Sequence, residues 1–144
     1  IAFTNNTSAD LLISLSVDRH SSGDANGLAT YFYGSETHGI HSIVGEKFAT
    51  IVQRELIART DLLNNRTHAK TWNLLRLTKA PAVMLDIGYI SNPKDSSRLA
   101  DPNFRDVIAE GLVVAIQRMY LSAEQDAKTG TLRLEDLRKA GLRK

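Results

Sequence analysis

The sequence contains no cysteine and only three prolines, and 6% of its 144 residues are aromatic. The lack of cysteine excludes a disulfide framework and any zinc or iron–sulfur site with cysteine ligands, and it fits a reducing compartment without establishing one. No run of about 20 apolar residues occurs, so we expect no transmembrane helix.

Charge of one sign is also scarce, because 18 Lys and Arg face 16 Asp and Glu, for a formal net charge of +2. This excess is spread along the chain and does not indicate a nucleic acid or an anionic membrane as partner. The composition that is present, 42% hydrophobic and 24% charged, is typical of one globular domain with a buried core.

The chain begins at Ile1 rather than at methionine, and it opens without the basic, apolar and small-residue regions of a signal peptide. We therefore expect this sequence to be a piece of a longer protein.

Short apolar runs alternate with helical patterns along the chain. Strands are predicted at 9–17, 27–34, 72–77 and 81–89, and the polar stretch 61–71 is predicted to be irregular. An amphipathic helix is predicted from Ser42 to about Thr60, and two further helices at the Asn-Pro and Asp-Pro pairs beginning at 92 and 101. This alternation predicts an α/β fold with a mixed or mainly parallel sheet flanked by helices.

The pattern changes after Tyr120. Residues 124–130 are polar, and the leucines beyond them stand among charged residues. This composition favours either a short tail helix or an interaction-prone end.

Asp86 is the strongest local candidate for chemistry, because it is a carboxylate within an apolar strand, just ahead of Gly88. An equally weighted alternative is that it caps the following turn or pairs with a base. The four histidines, His20, His38, His41 and His68, match no zinc-ligand spacing and are predicted to lie at the surface or in loops. Ser14 and Ser16 are not surrounded by the glycines of a nucleophile elbow and are predicted to be small strand residues.

Three motifs in order carry a family resemblance: ADLLISLS at 9–16, GLATYFY at 27–33 and PAVMLDIGYISN at 81–92. They resemble the zinc-dependent N-acetylmuramoyl-L-alanine amidases of the Amidase_3 type. The resemblance implies an amidase-like fold in which residues 1–121 form the C-terminal part of the domain and residues 122–144 a regulatory or flexible tail.

The resemblance also implies roles for two residues, and the sequence departs from the family at both. In active members the first motif ends in a zinc-ligating histidine, and the last supplies a glutamate that acts on the zinc-bound water. Ser16 stands at the histidine position and Asp86, one methylene shorter, at the glutamate position. The family's other two ligands would lie upstream of Ile1, and His20 could replace the missing ligand only if the chain turned back.

These departures favour a catalytically inactive protein with no zinc over the alternative, an active zinc amidase that hydrolyses the muramoyl–L-alanine bond. The runs at 51–60, 71–78 and 86–93 further resemble the CwlM-type amidase-like regulators of actinobacteria. That resemblance implies a cytoplasmic or membrane-peripheral regulator of peptidoglycan precursor synthesis. The implied partners are cell-wall biosynthesis proteins, a Ser/Thr kinase and FHA-domain proteins, and peptidoglycan fragments are a further candidate ligand.

The same resemblance makes Thr129 and Thr131 candidate phosphorylation sites. A phosphate adds about −1.5 to −2 charge, and Lys128, Arg133 and Arg138 are near in sequence. The alternative role of these threonines, which is compatible with phosphorylation, is to cap a tail helix.

Overall fold

The computed structural model describes residues 1–129, and it describes side chains through Leu121. The helices and strands of this part follow one another in the order α1 (Ala2–Asn5), β1 (Leu12–Asp18), β2 (Leu28–Ser35), β3 (Ile40–His41), α2 (Ile43–Arg59), β4 (Asn64–Lys70), α3 (Asn73–Leu77), β5 (Ala82–Tyr89), α4 (Pro93–Ala100) and α5 (Pro102–Thr129).

The strands form one mixed sheet in the order β1-β5-β2-β3, and β4 also pairs with β2. The pairs β1/β5 and β2/β4 are parallel, whereas β2/β5 and β2/β3 are antiparallel. The predicted α/β fold with a mixed sheet flanked by helices is therefore confirmed.

Helix α2 packs on one face of the sheet, α5 packs against α2, and both helices contribute side chains to the core. Phe48, Val52 and Leu56 of α2 are almost fully buried and pack with strand residues such as Val83 and Leu85. Because strand side chains alternate between faces, the positions between these apolar residues point to the opposite face. That second face carries the polar groups described below.

The predicted helix starts are confirmed with their caps. The Ser42 hydroxyl accepts a hydrogen bond from Gly45 N at 3.0 Å, and the Asn92 side chain accepts from Lys94 N and Asp95 N at 3.1 and 3.0 Å. The strands predicted at 9–17, 27–34 and 81–89 are also present with small shifts at their ends.

Two of the local predictions are wrong. Residues 61–71, predicted to be irregular, contain strand β4, which pairs with β2 and with no other strand of the described part. An edge strand that is half exposed needs little apolar sequence, because backbone pairing supplies its hydrogen bonds.

The strand predicted at 72–77 is instead the short helix α3. Leu75 alone is buried there, and Trp72 and Leu77 are 42% and 45% exposed. One buried side chain per turn is typical of a helix. In so short an apolar run, however, the sequence pattern does not distinguish a helix from a strand.

Helix α5 continues past residue 121 and is described as far as Thr129. The division of the chain at that point remains a prediction, and Thr131 lies outside the described residues. No helix in the described part is long and apolar enough to cross a membrane.

Candidate functional site

Ser16 and Asp86 lie side by side on the polar face of the sheet. They are paired in the parallel register of β1 and β5, and the Ser16 hydroxyl donates a hydrogen bond to Asp86 Oδ1. The two residues at which the sequence departs from the family pattern thus contact each other directly.

Tyr31 extends this pair across the sheet. It lies on β2, next to β5, and its hydroxyl donates a hydrogen bond to Asp86. Burial, reinforced by the Asp86 carboxylate, raises the pKa of Tyr31 to about 12. Tyr31 therefore remains a hydrogen-bond donor throughout the physiological pH range.

The Asp86 carboxyl has a pKa above its ordinary value. Burial is the main cause, and the Asp18 carboxylate adds to it, whereas the hydrogen bonds from Ser16 and Tyr31 act in the opposite direction. A half-buried carboxyl with a raised pKa holds a proton more tightly than an exposed one does. The same property lets a carboxylate accept a proton as a general base.

A cavity of about 400 Å³ opens beside Tyr31. Tyr89 lines it from the end of β5, with a pKa raised by burial and by the Asp18 carboxylate, to which its hydroxyl donates a hydrogen bond. The cavity is large enough for part of a small ligand.

An aromatic cluster beside the cavity was missed in the sequence. The ring centroids of Trp72 and His68 lie 4.8 and 5.9 Å from that of Tyr31, and Lys70 Nζ lies 5.6 Å from the Trp72 centroid. These side chains come from β4 and the residue before α3, the region whose secondary structure was wrongly predicted. The alternation of polar and small residues in Thr-His-Ala-Lys could have indicated the strand.

The sequence analysis also missed Asp95, which fixes the end of the site. Its side chain is fully buried and accepts hydrogen bonds from Gly27 N at 2.9 Å and Tyr89 N at 3.0 Å. Arg98 Nη1 donates to its other oxygen at 2.9 Å. Asp95 therefore connects the start of β2 and the end of β5 to α4. The sequence did contain a signal for it, an acidic residue three positions after the helix cap Asn92.

A family model described as N-acetylmuramoyl-L-alanine amidase, Amidase_3, matches residues 1–118. The chain belongs to this amidase family. It is 45% identical over 136 residues to the protein named N-acetylmuramoyl-L-alanine amidase CwlM of Mycobacterium tuberculosis, and the match covers 94% of this chain and 33% of that protein. The chain thus spans about a third of that relative's length.

Two solved amidase structures share the fold. The catalytic domain of CwlV from Bacillus (Paenibacillus) polymyxa var. colistinus matches with a TM-score of 0.72 and 26% identity over 84% of this chain and 63% of that one. The CwlD amidase of Clostridioides difficile, solved in complex with the GerS lipoprotein, matches with a TM-score of 0.74 and 20% identity over 84% of this chain and 59% of that one.

The donor set that the resemblance assigns to this segment does not fit zinc. At Ser16, where the resemblance expects an imidazole, a hydroxyl directs its proton at the Asp86 carboxylate, the other oxygen donor of the site. Among the side chains that the structure describes, which extend through Leu121, no three of His, Cys, Asp or Glu lie close enough together to hold a metal ion.

The four histidines of this amidase-family chain do not form such a set with other described side chains. All four are exposed, as predicted for surface residues. His20 follows β1 in a loop, where its Nδ1 accepts a hydrogen bond from Ser22 N at 2.9 Å.

We expect Asp86→Asn to raise stability at neutral pH. A carboxyl whose pKa is raised in the folded state binds its proton more tightly there than in the unfolded chain, so stability falls as pH rises from the unfolded pKa through the folded one. The amide carries no such charge and removes this decline. Urea unfolding at several pH values between about 3 and 8 measures this decline in stability. If Asp86→Asn had the same pH dependence as the protein without substitutions, the raised pKa of Asp86 would be contradicted.

Proposed function

We propose that this amidase-family protein is a catalytically inactive, phosphorylation-controlled regulator of cell-wall precursor synthesis that acts by binding other proteins. The observation that carries the proposal is the hydrogen bond from Ser16 to Asp86. It joins the two positions at which the family resemblance expects a zinc-ligating imidazole and the glutamate that acts on zinc-bound water.

Both departures weaken catalysis for separate reasons. A neutral hydroxyl is a poor zinc ligand beside imidazole, so the metal that would activate water is held weakly or not at all. The shorter Asp86 side chain withdraws the carboxylate, and a misplacement of about 1 Å costs about 100-fold in rate. No zinc is therefore part of the proposed function.

The regulatory half of the proposal rests on the resemblance to CwlM-type proteins and on Thr129 and Thr131. Thr129 is the last described residue of α5, next to Lys128, and Thr131 follows two positions later. We propose that a Ser/Thr kinase modifies these threonines and that FHA-domain proteins and cell-wall biosynthesis proteins are the partners. Such a regulator acts in the cytoplasm or at the membrane periphery.

An active N-acetylmuramoyl-L-alanine amidase is the second candidate. Two observations favour it: a relative at 45% identity carries that name, and Asp86 retains a carboxyl whose raised pKa suits proton transfer. This candidate requires zinc ligands beyond those that the described side chains, through Leu121, supply. It also implies secretion to reach peptidoglycan. Binding of peptidoglycan fragments without hydrolysis ranks between the two.

Hydrolysis of a muramoyl-peptide by the full-length protein, with zinc supplied, separates the two candidates. We expect release of free peptide no faster than in Asp86→Ala, whereas an active amidase of the same fold, assayed in parallel, turns over. Turnover that is lost in Asp86→Ala would replace the regulator with a cell-wall hydrolase.

The same preparation tests the regulatory half. After treatment with a Ser/Thr kinase, the protein should bind an FHA domain, and Thr129→Ala/Thr131→Ala should abolish that binding. The control variant is Thr7→Ala, which replaces an exposed threonine far in sequence from Thr129 and Thr131. After the same kinase treatment, it should bind the FHA domain as well as the protein without substitutions does. Equal binding by all three proteins would remove these threonines from the proposal.

A further inference from the structure

A second cavity, of about 410 Å³, lies between α2 and β4 on the face of the sheet opposite Asp86. We refer to it as the α2–β4 cleft. Among the described residues, Arg54 and Arg66 are the only ionisable side chains that line it. No carboxylate of the described part contributes to its wall, so the charges that line the cleft there are those of the two arginines.

The floor of the α2–β4 cleft is rigid. Gln53 is only 5% exposed, and it accepts a hydrogen bond from Thr30 Oγ1 at 2.8 Å. Its amide nitrogen donates to Leu28 O and to Asn64 Oδ1 at 2.8 and 2.9 Å. This buried amide thereby connects α2 to both β2 and β4.

Arg66 is held by the same network. Its backbone N donates to Asn64 Oδ1 at 2.9 Å, and it is the one described residue other than glycine with a positive φ, 67°. A left-handed conformation is unfavourable for a residue other than glycine and persists only where the surroundings enforce it. The fold therefore fixes the backbone that carries this guanidinium.

The donors around the cleft are in excess of the acceptors. Within the part of the chain that the structure describes, neither the Arg54 nor the Arg66 guanidinium has a hydrogen-bond or ion-pair partner. The side chains of Thr50, Asn64 and Thr67 line the same space. Two guanidinium groups with hydroxyl and amide neighbours match an acceptor that offers three or more oxygens and negative charge.

We propose that the α2–β4 cleft is a binding site for a phosphate monoester group. A phosphate dianion supplies charge for both arginines and enough oxygens for paired guanidinium contacts, which a single carboxylate does not. The group can come from a phosphorylated side chain of another protein or from a small phosphorylated molecule. This site is separate from the Ser16–Asp86 pair and does not rest on the regulatory role proposed above.

Calorimetric titration of the full chain with inorganic phosphate, at constant ionic strength and a pH of about 7.5, tests the site. We expect saturable binding that weakens about tenfold or more in Arg54→Gln/Arg66→Asn, because each arginine supplies charge-assisted hydrogen bonds. Asparagine is chosen at position 66 because it tolerates a positive φ. Arg54→Gln, on an exposed helix position, should show part of the loss if the double variant folds poorly.

Arg19→Gln is the matched control, since it removes one exposed positive charge outside the cleft. It should leave phosphate binding unchanged. Absence of saturation, or an equal loss in Arg19→Gln, would overturn the proposal.

A parallel titration with a phosphothreonine peptide distinguishes the sources of the phosphate. Binding tighter than that of inorganic phosphate, and lost in Arg54→Gln/Arg66→Asn, supports the site and assigns the group to a phosphorylated side chain. Equal or weaker binding, likewise dependent on both arginines, supports the site and assigns it to a small phosphorylated molecule.

Discussion

Asp95→Ala should lower the free energy of unfolding by about 2–6 kcal/mol, because two buried backbone N–H groups lose their acceptor at about 1–3 kcal/mol each. The Asp95 side chain is fully buried, and its loss leaves Gly27 N and Tyr89 N without their acceptor. Each buried donor left unsatisfied costs about 1–3 kcal/mol. Arg98 retains its pair with Asp61, so its charge is not stranded. Urea unfolding followed by circular dichroism measures the change.

Asp106→Ala is the matched control, because it removes a carboxylate from an exposed helical position. It should change stability by no more than about 0.5 kcal/mol. Asp95→Asn keeps one acceptor oxygen and should fall between the two. If Asp95→Ala were no more costly than Asp106→Ala, the hydrogen bonds to Gly27 and Tyr89 would not hold this junction together.

The same junction links stability to the candidate site. Tyr89 follows Asp86 on β5 by three residues, and Gly27 directly precedes the strand that carries Tyr31. Because Asp95 accepts hydrogen bonds from both Gly27 N and Tyr89 N, it fixes the start of β2 relative to the end of β5. Asp95 thus connects the strands that carry Asp86 and Tyr31, although its own hydrogen bonds involve neither of these side chains nor Ser16.

The apolar strands could be predicted from the sequence because burial is encoded in their composition. The segment around Val83 and Leu85 must be apolar to pack under α2, and its short continuous apolar run is the signal of a strand buried in this way. The helix starts could be predicted for a local reason: Ser42 and Asn92 cap their own helices through hydrogen bonds within three residues.

The prediction failed where structure depends on partners distant in the sequence. Strand β4 is polar, and it is ordered by pairing with β2 and by the buried Gln53 amide, 11 residues before Asn64. These contacts leave only a short alternation of small and polar residues, at 67–70, as a signal within residues 64–70. The aromatic cluster of His68 and Trp72 was missed as a consequence, because its members meet Tyr31 only when β4 lies beside β2.

The two departures from the family motif could be located in the sequence, but their mutual contact could not. Ser16 and Asp86 are 70 residues apart, and only the register of β1 against β5 places them opposite each other. That register turns two separate substitutions into one hydrogen-bonded pair. This pair supports the proposal above, in which Ser16 and Asp86 satisfy each other in place of a zinc ligand and a catalytic glutamate.

Gly27→Ala is the second change with a large expected effect. A Cβ at this position would lie 2.5 Å from Leu63 O and 2.8 Å from Asn65 Nδ2, and the φ of 106° is itself unfavourable for alanine. The backbone conformation costs about 1–3 kcal/mol, and overpacking adds a similar amount. We therefore expect the free energy of unfolding to fall by about 2–6 kcal/mol, measured by the same urea titration.

Gly39→Ala separates the two contributions to this loss. Gly39 also has a positive φ, 63°, but an added Cβ there would meet no atom within 4 Å, so only the backbone cost of about 1 kcal/mol applies. The excess loss in Gly27→Ala then measures the steric contact with Leu63. Because that contact joins the entry of β2 to the segment before β4, the excess should be accompanied by altered Tyr31 and His68 signals in NMR spectra, whereas Gly39→Ala should leave them in place. Equal losses in the two variants would mean that the backbone at the start of β2 moves to accommodate the added methyl group. The close approach of Gly27 to Leu63 would then not be what orders the cavity beside Asp86.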